Sequence, residues 1–139
     1  MGQENKWLSL ATQTIHLKQD YPDSEVKRLR EIYLTWTHTI TPSPLGAWYK
    51  VKLHYIKNKS LSFYVIEPKP LQLANGHAEL PHVYSTEEQK LCLYYPDGTE
   101  WNPGLLLTKT VIPWAHEWLF HYELWVGSGI WSGGGKKHN

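Results

Sequence analysis

The sequence holds one cysteine in 139 residues, so no internal disulfide can staple the chain, which fits a reducing compartment. It has no apolar run of about 18 residues, so a helical membrane span is not expected. An excess of one charge is missing too. Fourteen basic residues stand against 13 acidic ones, for a net charge of +1, and that balance gives nucleic acid little to bind. The small cluster Lys27, Arg28 and Arg30 reads as a solvated strand face. The opening MGQENKWLSL lacks the charged-then-apolar pattern of a signal peptide, and Lys6 stands where a myristoylation signal wants Ser or Thr. Ligand spacing is absent among the eight histidines. His116 and His121 of HEWLFH are five apart, which at about 100° per residue turns them off one helix face. These absences point to a cytoplasmic protein with no metal, no cofactor, and neither membrane nor nucleic acid as a partner.

What is present is aromatic. Eight tryptophans and nine tyrosines suit both a small core and a protein interface. The length fits one domain over residues 1–139, and a chain of this size typically buries roughly 68% of the surface its unfolded form exposes. Leu8, Ala11 and Ile15 recur at spacings of three and four, predicting a short helix from about Leu8 to Gln19 that Tyr21-Pro22 stops. The period then becomes two. Ile32, Leu34, Trp36, His38 and Ile40 alternate with Tyr33 and three threonines, followed by Tyr49, Val51, Leu53 and Tyr55, and then by Leu61, Phe63 and Val65. With a short extra strand over Glu25 to Leu29, this predicts a four-stranded antiparallel meander. Pro68 and Pro70 end it. Gln72 to Lys90 keeps no period and reads as a long ordered loop leading to Cys92. YYPDGTEWNPG is turn chemistry. Val111, Ala115, Trp118, Tyr122 and Trp125, widened by Ile112 and Leu119, then predict one strong helix ending near Gly127-Ser128-Gly129, with Pro113 in its first turn. A flexible tail is expected over about 132–139. The fold class is α+β.

Cys92, in LCLYY, fits a buried small hydrophobe when taken alone. Its position after a long loop and before a turn-rich run, with His82 ten residues upstream in LPHVY, gives it a second reading as a nucleophile.

That order of residues resembles the ubiquitin-conjugating enzymes, whose fold is a helix, a four-stranded meander, an active-site loop and a C-terminal helical part. His82 matches the histidine of the family's His-Pro-Asn motif, and Cys92 falls at the distance of its catalytic cysteine. Trp101 and Pro103 match the tryptophan and proline that follow it. The runs HVYSTEEQKLCLYYPDGTEWNP and IPWAHEWLFHYELW are most similar to the stand-alone bacterial members encoded in CBASS antiphage operons. The resemblance implies that Cys92 carries a partner's C-terminus as a thioester and passes it to an amine. It also implies that the partner is the glycine-ended C-terminus of a cGAS/DncV-like nucleotidyltransferase in cyclic-oligonucleotide signalling.

Val83 and Tyr84 replace the motif's proline and asparagine. Tyr84 would supply one phenolic hydrogen bond where the family's asparagine steadies the loop and the oxyanion. His82 and Tyr84 therefore join Cys92 as candidate catalytic residues, with Asp97, Trp101 and Pro103 supporting the loop. Asp97, Glu100 and His116 would orient an amine if they border Cys92. A thiol with a pKa of about 8.5 is a few per cent ionised near neutrality, enough for a carrier taking an activated acyl group but poor for a protease. Two other readings stay open: a non-catalytic binding module of the same fold, and a cysteine hydrolase using His82 or His116 as base. Gly133-Gly134-Gly135 resembles the diglycine end of a modifier, but Lys136 to Asn139 follow it, so it reads as part of the tail.

Overall fold

The structure, a computed structural model, describes residues 7–134. Ser9 starts helix α1 (Leu10–Asp20) by accepting from the Thr12 amide, and a second acceptor comes from far along the chain. The Glu31 carboxylate takes the Leu10 and Ala11 amides at 2.7 and 3.0 Å, two donors that a helix start leaves without partners. The apolar spacing read from Leu8, Ala11 and Ile15 names the wrong face. Leu10, Gln13 and Leu17 are the buried positions, and Ile15 is 58% exposed. The reason is Gln13. Its amide oxygen accepts from Leu107 N (3.0 Å) and its nitrogen donates to Leu105 O (2.9 Å), so a polar side chain serves the packed stripe.

Strands β1 (Glu25–Leu29), β2 (Tyr33–Ile40), β3 (Tyr49–Ile56) and β4 (Ser60–Glu67) form the expected antiparallel meander. Two short strands extend it. β5 (Val83–Ser85) and β6 (Lys90–Leu91) lie inside the segment read as a loop and give six strands in the order β1-β2-β3-β4-β6-β5. Pieces of three and two residues are too short to show a period, which is why the alternation test passes over them. Their attachment is narrow, since β6 meets β4 at Tyr64↔Lys90.

Register decides which face is buried. Trp36 lies opposite Leu53, and Leu53 opposite Phe63, so one row of the sheet points inward. Ile32 is outside that row: it precedes β2 and is 53% exposed. The core closes under helix α2 (Val111–Ser128), whose buried residues are Val111, Ile112, Ala115, Trp118, Leu119, Tyr122 and Trp125, the stripe the spacing gives. Each fully buried Leu, Ile or Val contributes about 1.5–3 kcal/mol, so this row and stripe supply most of the stability. A 3-10 turn (Leu107–Lys109) leads into α2, and Gly129 ends it in the left-handed region at φ +79°. No helix among the described residues is long and apolar enough to cross a membrane.

The chain does not loosen at residue 131. Trp131 packs on His82, Trp118 and His121, and its Nε1 donates to Gly134 O at 3.0 Å. Within the stretch expected as a tail, residues 132–134 are exposed and carry no helix or strand, and Trp131 reaches Gly134. Residues 135–139 lie outside the described residues.

Candidate active site

Cys92 follows β6, and its placement starts three residues earlier. Gln89 takes a left-handed backbone (φ +54°) and buries its amide in the gap between β4 and the loop. Its Oε1 accepts from Leu71 N at 2.6 Å, and its Nε2 donates to Val65 O and Pro68 O at 2.9 and 3.0 Å. The Gln89 carbonyl accepts from Val65 N at 3.1 Å. One residue thus ties the loop to the sheet edge, with every polar atom of its amide group used. Nothing in the sequence marks it. A glutamine in an aperiodic run looks solvated, and only its buried backbone partners reveal the role.

His82 supplies the second anchor through its backbone. Its carbonyl accepts from Cys92 N at 3.1 Å and from the indole Nε1 of Trp118 at 3.2 Å. The residue sits at φ +51°, a region that histidine enters more readily than most residues. The ring lies against Trp131, centroids 5.1 Å apart. His82 therefore positions the Cys92 backbone, with its imidazole in the aromatic wall of the site.

Cys92 is 7% exposed, and its thiol donates to Tyr94 O over 3.6 Å. Burial pushes its pKa up, and the nearby Glu100 charge adds to that. The Tyr84 side chain, hydrogen-bonded to the sulfur, pulls in the opposite direction. Tyr84 projects from β5 and has its own pKa raised by burial and by Cys92, so it stays a proton donor throughout the neutral range. A Tyr94 hydroxyl pushed up to about 12 by burial behaves likewise.

Despite its low exposure Cys92 lines an open groove of about 410 Å³. Cys92 to Tyr95 and Glu100 line it, as do Trp114, Glu117, Trp118 and His121 of α2, and Trp131, Gly133 and Gly134 after the helix. A second hollow of about 270 Å³ lies beside Tyr84, Lys59 and Lys90, with Leu93 and Tyr94 common to both. Tyr84 thus belongs to the second hollow while its hydroxyl serves the sulfur of the first.

The remaining candidates take other places. Asp97 accepts from Thr99 N (2.9 Å) and Thr99 Oγ1 (2.6 Å), folding the exposed turn, and it does not line the thiol groove. Trp101 is buried between Tyr55 and Tyr94, centroids 5.6 and 5.8 Å away, and so supports Tyr94 from below. The carbonyl of Pro103 accepts from Leu8 N at 2.9 Å, tying the chain two residues before α1 to the far side of the turn. Glu100 borders the groove and accepts from Tyr95 N. His116 does not line the groove: it is half-buried toward Thr41 and His38, and burial lowers its pKa. Nothing in this placement supports His116 as a base for Cys92.

With the thiol, its groove and its hydroxyl neighbour in place, the comparisons bear on the family. A family model described as "Type II CBASS E2 protein" matches residues 13–139, which include the described site. No curated protein matches the chain.

Proposed function

The chain belongs to the Type II CBASS E2 proteins, and from that premise we propose that Cys92 carries the C-terminus of a partner protein as a thioester and passes it to an amine. The partner in this reading is the glycine-ended C-terminus of a cGAS-like nucleotidyltransferase, and the transfer regulates antiphage cyclic-oligonucleotide signalling. The supporting observation is the sulfur itself. It sits at the side of an open groove, its backbone is fixed to His82 O, and its side chain is hydrogen-bonded to Tyr84.

In the first step the Cys92 thiolate attacks the activated carbonyl carbon of the donor's last residue. The bond to the activating group breaks, and the carbon–sulfur bond forms. In the second, a neutral amine adds to the thioester carbonyl, the carbon–sulfur bond breaks, and the thiolate departs as the amide forms. The extra proton on the attacking nitrogen passes to water as the amide forms. A thiolate appears in both steps, and the Tyr84 hydroxyl is the donor next to it, so Tyr84 favours both formation and departure of that charge. Glu100 and Glu117 give the groove two carboxylates that suit an incoming ammonium ion, whose deprotonation must precede attack.

The raised thiol pKa fits this division of labour. Only a small fraction is ionised at neutral pH, which an activated acyl donor tolerates and an unactivated amide does not. Mixing the protein with an activated donor and comparing reducing and non-reducing gels tests the reading. A thiol-sensitive adduct that Cys92→Ala abolishes is the expected result. No adduct, or one that survives Cys92→Ala, sinks it and leaves a binding module.

A further inference from the structure

Trp131 to Gly134 lies beside the thiol in a way that thioester chemistry does not require. After Gly129 the chain turns back, and the Trp131 ring settles 5.1 Å from His82, 5.8 Å from His121 and 5.9 Å from Trp118, measured between centroids. Its Nε1–H closes a small loop onto Gly134 O at 3.0 Å. Gly133 and Gly134 are thereby brought to the groove that Cys92 lines. The space at Gly133 accepts no side chain. A Cβ there would stand 2.8 and 2.9 Å from Cγ and Cδ2 of His121 and 2.9 Å from Cζ2 of Trp131. These are ring atoms held in a packed aromatic cluster, and the His121 atoms lie close to its own backbone, so they cannot swing aside cheaply. The spot selects glycine on steric grounds.

We infer that the strip of α2 at Trp118 and His121, beside His82, is a binding site for a short aromatic-glycine segment, that Trp131–Gly134 occupies it in cis, and that this segment competes with an incoming glycine-ended chain for the thiol groove. The competition rests on the reading of the preceding subsection; the occupancy rests on the contacts alone. Both the incoming end and the resident segment present backbone with no Cβ to the same wall. Trp131, Gly133 and Gly134 line the same groove as Cys92, so the resident segment takes up space that an incoming chain end would need. Loading then requires the segment to lift, at the cost of its three ring contacts to His82, Trp118 and His121.

The alkylation rate of Cys92 by iodoacetamide tests occupancy without any donor, and a single cysteine makes the intact mass unambiguous. Rates are taken across pH so that the limiting value, free of thiol ionisation, is compared. Trp131→Ala and Gly133→Ala in the full chain are each expected to react roughly tenfold faster, the ratio set by ~1.4 kcal/mol of occlusion. The peptide acetyl-Trp-Ser-Gly-Gly-amide should slow Trp131→Ala again, and its alanine counterpart acetyl-Trp-Ser-Ala-Ala-amide should not. Rates equal to the parent in both variants, with circular dichroism unchanged, overturn the proposal. So does slowing by the alanine peptide. Faster alkylation with no thiol-sensitive donor adduct would defeat the thioester reading and leave the subsite standing. Normal donor loading with unaltered alkylation would do the reverse.

Discussion

Two regions of this molecule are held in place by different physics. The frame of β1 to β4 and α2 is fixed by repetition: rows such as Trp36, Leu53 and Phe63 bury one face, and the α2 stripe closes on them. No single contact there is indispensable to the register, because a slip by one residue would turn the whole row outward. The segment from Pro68 to Thr110, which delivers the thiol, has no such redundancy. It hangs on individual polar groups: the Gln89 amide, the His82 carbonyl, and the carboxylates of Asp97 and Glu100 in the turn beyond. A repeated pattern tolerates loss at one position in kind though not in amount, whereas a pin either holds or does not.

Substitutions can separate the two. Trp36→Ala, in the frame, should cost about 3–5 kcal/mol of global stability by leaving a large cavity, with a lower urea midpoint and an unchanged slope. Gln89→Leu, in the segment, keeps volume but strands three buried backbone groups, and should cost about 3 kcal/mol. Its signature differs: faster amide exchange at Leu71 and Val65 before global unfolding, with the rest of β2 and β3 protected. Were exchange to rise uniformly, the segment and the frame would be one cooperative unit and the contrast would fail.

Smaller effects sharpen the contrast at the thiol. Tyr84→Phe removes the hydrogen bond that opposes burial at Cys92, so the thiol pKa should climb further. Loading at neutral pH should drop several-fold, and the rate–pH profile should move to higher pH with stability intact. In the parent the rate should still be rising past roughly pH 8.5, where an ordinary thiol levels off. A fall in loading with no shift in the profile would mean that Tyr84 only shapes the loop.

Glu31→Gln should have the smallest effect. Burial pushes the Glu31 carboxyl up, but its bonds from Lys57 and from the Leu10 and Ala11 amides outweigh that and hold it below the usual range. A depressed carboxylate stabilises the fold above the unfolded pKa of roughly 4.3, and that contribution disappears as pH falls through the folded value. The parent should therefore exceed Glu31→Gln by about 0.5 kcal/mol at pH 7, a modest figure for an exposed helix-start carboxylate, and the two should converge in acid. Urea midpoints at pH 7 and pH 3 check it.

The same contrast explains what the sequence discloses. Periodicity is the trace left by repeated burial, so β2, β3, β4 and the α2 stripe are legible, with Ile32 the one position of the β2 row that falls outside it. α1 misleads because its packed face includes Gln13, whose value lies in the Leu105 and Leu107 backbone it satisfies. β5 and β6 are too short to leave a period. Cys92, His82 and Tyr84 are visible in the sequence through resemblance to a family, and the structure adds what each does locally. His82 offers its carbonyl, Tyr84 reaches the sulfur from a neighbouring hollow, and Asp97 folds a turn away from the groove. Gln89 is not readable at all, since a buried amide obeys no local pattern, and Trp131 stands out in its tail only as a large aromatic, with no sign of the partners it packs on.

The indole of Trp118 has one further consequence. Its hydrogen bond to His82 O meets the Cys92 amide at the same oxygen, so helix and nucleophile share a single hinge atom. Any partner that leans on the outward residues Phe120 or Leu124 therefore carries the reactive centre along with the helix as one lever, and cannot shift one against the other without tearing that oxygen from a donor.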